Sequence, residues 1–153
     1  MLTHATLGPV EILLVEDNPG DVELIRIALR DIPFANHLSV AKDGVEAIGF
    51  LQNVEGHLPR PDLILLDLNL PRKDGREVLA CVKQDPALRQ IPILVLTSSN
   101  SDEDVLQAYD LHANCFISKP ASFPELRDVL QTVGQFWFST VRLPSRLAPL
   151  RRS

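Results

Sequence analysis

Leu63-Ile64-Leu65-Leu66-Asp67 is a run of four aliphatic residues that stops on a carboxylate. A strand wet on one face alternates apolar with polar residues, so an unbroken apolar run of this length reads as a strand covered on both faces. Glu11-Ile12-Leu13-Leu14-Val15 has the same character and also ends in acid, at Glu16-Asp17. Strands covered on both faces belong to parallel sheets, and each parallel pair needs a crossover, usually helical.

The segments between and around these runs supply the helices. Asn18 is a candidate N-cap and Pro19 a first helical residue; Val22, Ile25, Ala28, Leu29 and Ile32 then repeat every 3.6 residues until Pro33. Residues 38–41 form a short second strand closed by Asp43-Gly44. Val45, Ile48, Leu51 and Gln52 open a second helix that ends before Gly56, Pro59 and Pro61. Beyond Asp67, a third helix carries Val78, Leu79 and Val82 and stops at Asp85-Pro86. Residues 91–96 read as strand four, leaving through the polar turn Thr97-Ser98-Ser99-Asn100. Ser101 caps a fourth helix whose first turn, Asp102-Glu103-Asp104, complements the helix dipole. Residues 114–117 read as strand five. Ser122 and Glu125 have capping-box spacing, and Leu126, Val129, Leu130, Val133 and Trp137 continue a long last helix.

Five strands alternating with five helices predict an α/β fold: a flavodoxin-like, doubly wound, five-stranded parallel sheet of order 2-1-3-4-5 with helices on both faces. Its 153 residues make one domain, and a 45% hydrophobic content suffices for one core. The net charge of -5 gives no whole-chain basic signature, so no nucleic-acid partner is expected; Arg142, Arg146, Arg151 and Arg152 read as a solvated chain end. No apolar run approaches the roughly 20 residues of a membrane helix, and no secretory leader is evident, so a cytoplasmic location without membrane association is expected. Cys81 and Cys115 lack metal-ligand spacing and read as buried small apolar residues of a reducing compartment.

In such a sheet, functional residues gather at the carboxyl ends of the strands, near the switch between strands one and three. Four strand ends deliver chemically apt groups there: Glu16 and Asp17, Asp67, Thr97, and Lys119. Taken singly, each is an ordinary capping or surface residue; their coincidence at one edge carries the reading. Three carboxylates within about 5 Å would repel by roughly 3 kcal/mol per pair at an effective dielectric of 20, so the edge demands counter-charge. A hard divalent cation, Mg2+, suits an all-oxygen set, with Lys119 as second cation and Thr97 as hydroxyl donor. Together they make a phosphoryl-transfer constellation in which an ionised carboxylate attacks without a general base.

At these residues the chain resembles the response-regulator receiver domains. Val15-Glu16-Asp17-Asn18, Leu65-Leu66-Asp67-Leu68-Asn69-Leu70-Pro71 with Asp74-Gly75, Leu96-Thr97-Ser98 and Lys119-Pro120 stand in that family's order. The resemblance implies a receiver domain over 10–138, leaving an N-terminal arm 1–9 and a C-terminal extension 139–153. It implies Asp67 as phosphoacceptor; Glu16, Asp17, Asp67 and the Asn69 main-chain carbonyl as metal ligands; Thr97 and Lys119 on the phosphoryl group; and a cis Lys119-Pro120 bond. It also implies a switch pair, Thr97 and Phe116, with Phe116 in place of a frequent tyrosine and therefore lacking its hydroxyl. Asn69 and Ser99 flank the path of hydrolytic water in this family.

The stretch from Asp67 to Leu79, Ala113-Asn114-Cys115-Phe116-Ile117-Ser118-Lys119-Pro120, and the Phe136-Trp137-Phe138 ending resemble stand-alone regulators of cyanobacterial and bacterial phytochromes. A sensor histidine kinase of bacteriophytochrome type is the partner this implies, with a histidine phosphotransfer protein as a further candidate. With only 139–153 beyond the receiver, output is expected through protein contacts rather than catalysis. Phe136, Trp137, Phe138, Val141 and Leu143 predict an apolar patch and a homodimer. Three alternatives remain beside this reading. A haloacid-dehalogenase-type phosphatase would want an acid where Asn69 stands, a flavodoxin-like carrier would not place Glu16-Asp17 at its phosphate loop, and a pseudo-receiver would not keep the full set.

Overall fold

The computed structural model describes residues 8–146. Five strands, β1 (Val10–Val15), β2 (Asn36–Ala41), β3 (Leu63–Leu66), β4 (Ile93–Thr97) and β5 (Cys115–Ser118), form one sheet of order β2-β1-β3-β4-β5. Every pairing is parallel, with Leu13 opposite Ser39 and Ile64, Leu65 opposite Leu94, and Val95 opposite Phe116. Between them run α1 (Pro19–Arg30), α2 (Gly44–Gln52), α3 (Gly75–Gln84), α4 (Asp102–Asp110) and α5 (Phe123–Gln135). The expected fold class and strand order are those observed.

Side-chain alternation along the strands sorts the core into two layers. Leu13, Val15, Ile64, Leu66, Ile93 and Val95 face Ala47 and Leu51 of α2, Val78, Leu79 and Val82 of α3, and Ala108 of α4. Val10, Ile12, Leu14, Leu63, Leu65, Leu94 and Leu96 face Ile25, Ala28 and Leu29 of α1 and Leu126, Leu130 and Val133 of α5. β3 is buried at every position, as its unbroken apolar run required. The helix starts match their caps: the side chains of Asn18, Ser101 and Ser122 accept from the main-chain N–H groups of Asp21, Asp104 and Glu125. α2 ends at Asn53 in the left-handed region, a C-cap that asparagine tolerates.

Three expectations need correction. Cys81 is exposed on α3 and Cys115 is only partly buried, since β5 is an edge strand of mixed exposure. The aromatic ending does not stay together on the surface. A wide turn at Phe136–Thr140 follows α5, and Phe138, in step with Leu130 and Gly134, is fully buried edge-on to Phe34 at 6.5 Å between ring centres. Leu143 is buried as well, while Phe136 remains exposed and Trp137 half-buried.

Arg146 is likewise no solvated chain end. Its guanidinium meets buried Asp62 at 2.9 Å and donates to the carbonyls of Gly8 and Pro9, while Ser145 also donates to Asp62. Asp62 accepts in addition from the Glu11 N–H at 2.8 Å. The first part of the extension therefore straps the amino-terminal edge of the sheet, opposite the carboxylate cluster. Arg151, Arg152 and most of the arm 1–9 lie outside the described residues. No helix among the described residues is long and apolar enough to cross a membrane.

Candidate functional site

Ladder hydrogen bonds extend past the strand ends and fix the main chain of the site. The N–H of Glu16 donates to the Ala41 carbonyl, that of Asp67 to Val15, and that of Lys119 to Thr97 at 2.8 Å. Gly75 closes the far wall of the Asp67 loop. A Cβ there would stand 2.3 Å from the Asp67 carbonyl oxygen, and its N–H donates to the Leu68 carbonyl, so only glycine lets α3 start this close.

Glu16, Asp17 and Asp67 each offer a carboxylate oxygen, and the three lie within 4.8 Å of one another. Glu16 and Asp67 are buried; Asp17 is exposed. The Lys119 ammonium sits among the acids, 2.8 Å from Glu16, 3.0 Å from Asp21 and 3.5 Å from Asp67. Asp67 Oδ1 accepts from the Thr97 hydroxyl at 2.7 Å and from the Asn69 N–H at 3.1 Å. The other Glu16 oxygen accepts from the Asn18 N–H. All the predicted strand-end residues thus meet at one edge.

The electrostatics follow from crowding. Burial pushes the Glu16 carboxyl up to about 7; the Asp67 charge pushes the same way, and the hydrogen bonds from Lys119 and Asn18 oppose them. Burial by itself would lower the Lys119 pKa, but the hydrogen bonds to Glu16 and Asp21 and the Asp67 charge outweigh it and raise that pKa above its ordinary value. The Lys119 ammonium meets three carboxylates, Glu16, Asp21 and Asp67, and Asp17 adds a fourth acid beside Glu16 and Asp67. An all-oxygen donor set with unbalanced negative charge fits a hard divalent cation.

Asp21 was not foreseen; in the first turn of α1 it reads as an ordinary dipole partner, and no spacing in the sequence ties it to Lys119. The expected cis bond is absent. The described residues contain no cis peptide, and trans Lys119-Pro120, favoured by about 0.5–1 kcal/mol, still delivers the lysine amine to the acids. Phe116 is half-buried on the α2/α3 side of the sheet, and its N–H donates to the Tyr109 hydroxyl at 3.2 Å, so a hydroxyl does approach this position, from α4.

The family model of the response regulator receiver domain matches residues 12–131, from within β1 through β5, and takes in the carboxylate edge. The chain belongs to that family. This receiver is 46% identical over 140 residues to Response regulator Rcp1 of Synechocystis sp., covering 90% of this chain and 95% of the relative. The Mn(2+)-bound form of Rcp1 superposes with a TM-score of 0.83, covering 89% of this chain and 99% of that one. The phosphorylated cyanobacterial phytochrome response regulator RcpA, 45% identical, gives a TM-score of 0.85 over 90% of this chain and 99% of that one. The receiver is also 40% identical, over 89% of this chain and 88% of the relative, to a probable methanogenesis regulatory protein, FilR2, of Methanothrix harundinacea.

Proposed function

We propose that this receiver accepts a phosphoryl group on Asp67 from a histidine kinase of the bacteriophytochrome type and passes the signal on through protein contacts in the cytoplasm. The observation that carries the reading is the convergence on one buried carboxylate of a hydroxyl donor, Thr97, and an ammonium, Lys119, beside two further acids. An Asp67 oxygen attacks phosphorus, the bond to the phosphohistidine nitrogen breaks, and its electron pair leaves with the imidazole. Thr97 and Lys119 then hold the phosphoryl oxygens, and the acyl phosphate hydrolyses back to carboxylate and phosphate. Glu16, Asp17, Asp67 and the Asn69 carbonyl would hold Mg2+, which supplies charge neutralisation for the transferring group.

The kinase class rests on the likeness to Rcp1 and to RcpA, a phytochrome response regulator, together with the matching stretches around Asp67 and Lys119. The group could be relayed further to a histidine phosphotransfer protein. Thr97 and Phe116 form the switch in this reading, Phe116 moving inward as Thr97 turns from the carboxylate to the phosphoryl group. A homodimer contact is proposed at Phe136 and Trp137, without Phe138. Labelled phosphotransfer from a panel of histidine kinases tests the core of the reading. The wild type should take an acid-labile, base-labile label, no more being retained by Asp67→Asn than by denatured protein. Full labelling of that variant removes Asp67 as acceptor.

A further inference from the structure

A chain of hydrogen bonds reaches Asp67 from the surface between α3 and α4. Arg76 Nη2 donates to Asp104 Oδ1 at 2.8 Å, and Ser99 Oγ donates to Asp104 Oδ2 at 2.6 Å. The Ser99 N–H donates to Thr97 Oγ1 at 3.3 Å, and that hydroxyl donates to Asp67 Oδ1 at 2.7 Å. The rest of the Arg76 guanidinium is engaged too, Nε on the Gln107 amide oxygen at 2.9 Å and Nη1 on Asp74.

This brace is not needed to start α4. Ser101 caps that helix, accepting from the Asp104 N–H, whereas Arg76 holds the Asp104 side chain. The hydrogen bonds from Ser99 and Arg76 hold the Asp104 carboxyl below the usual range, so it accepts only, and the single Ser99 hydroxyl proton is committed to it. Ser99 is thereby kept from donating to anything at Asp67, and the Thr97–Ser99 turn is seated from outside.

We propose that Arg76 is a positioning residue for the phosphoryl chemistry: through Asp104 it fixes the Ser99 hydroxyl and the Thr97–Ser99 turn, and so slows hydrolysis of the acyl phosphate. The inference rests on Asp67 as phosphoacceptor. In hydrolysis, a water oxygen attacks phosphorus, the bond to the Asp67 oxygen breaks with its electron pair returning to the carboxylate, and the water protons leave with phosphate and solvent. A released Ser99 hydroxyl can orient that water, and a loosened turn admits it.

The test labels the full chain with acetyl phosphate and Mg2+ and follows loss of the label, with unfolding midpoints measured alongside. Arg76→Gln and Asp104→Asn should each shorten the lifetime about threefold to tenfold, and the double variant no more than either single one. In a Ser99→Ala background, Arg76→Gln should change the lifetime by less than about twofold. Arg76→Lys should restore part of the effect, keeping charge but losing the fork. Additive losses, or a wild-type lifetime in a stably folded Arg76→Gln, overturn the inference alone. A wild type that takes no label at Asp67 overturns the proposed function and this inference with it.

Discussion

The Thr97 hydroxyl donates to Asp67 Oδ1 across 2.7 Å, and both side chains are buried. The same hydroxyl cannot serve the carboxylate and an incoming phosphoryl oxygen together, so this contact belongs to the free state and must be exchanged on phosphorylation. Thr97→Val keeps the shape and removes the donor. It should lower stability by about 1–3 kcal/mol, the cost of an under-satisfied buried acceptor, while Thr97→Ser should lose much less of the hydrogen-bonding contribution. Urea unfolding of the two variants checks it; a valine variant as stable as wild type would show that the Asn69 N–H and Lys119 already satisfy Asp67.

Glu16 links the site to pH. Its pKa rises from 4.5 in the unfolded chain to about 7 in the folded one, chiefly by burial and also by the Asp67 charge. Between these values the folded state holds a proton that the unfolded state has released, so stability must fall as pH rises from 4.5 to 7. Lys119, with its pKa raised, stays charged throughout that window and does not reverse the sign. In chelator, the urea midpoint should therefore decline from pH 5 to pH 8, and Glu16→Gln should flatten the decline. A bound divalent cation needs the ionised form, so its affinity should rise through pH 7 with proton release. Calorimetry in buffers of different ionisation enthalpy would detect that proton; its absence would separate Glu16 from cation binding.

Much of this was written in the sequence because burial on both faces leaves an unmistakable mark. The runs at Ile12–Val15 and Leu63–Leu66 had no alternation, and their acidic ends fell where a parallel sheet collects its chemistry. The edge strands were less legible: β2 begins at Asn36, two residues before its apolar part, because pairing with β1 rather than hydrophobicity sets its start. Asp21 and the Arg76–Asp104 pair were invisible because each is an ordinary helix residue until two elements meet. Phe138 was misplaced for a different reason. Its four-residue steps from Leu130 and Gly134 carry the buried side of α5 on into the turn that follows, but a cluster of three neighbouring aromatics reads as a patch when composition is weighed before phase.

That correction changes how the extension must be tested. Truncation after Gln135 would remove Phe138 and Leu143 from the core and the Arg146 partner from buried Asp62, so it would report on folding before it reported on assembly. Phe138→Ala should cost about 3–5 kcal/mol, as for other buried aromatics cut to alanine. Arg146→Ala should cost roughly 3 kcal/mol, because it would leave the buried Asp62 side chain without its guanidinium partner. Phe136 is 51% exposed, and Phe136→Ser should change stability by less than about 0.5 kcal/mol. If a second copy docks on Phe136 and Trp137, sedimentation at micromolar concentrations should show a wild-type dimer and a Phe136→Ser monomer of equal stability. A monomeric wild type, with and without phosphoryl on Asp67, would mean that the extension serves its own chain only, as a strap across the edge of the sheet opposite the phosphoacceptor.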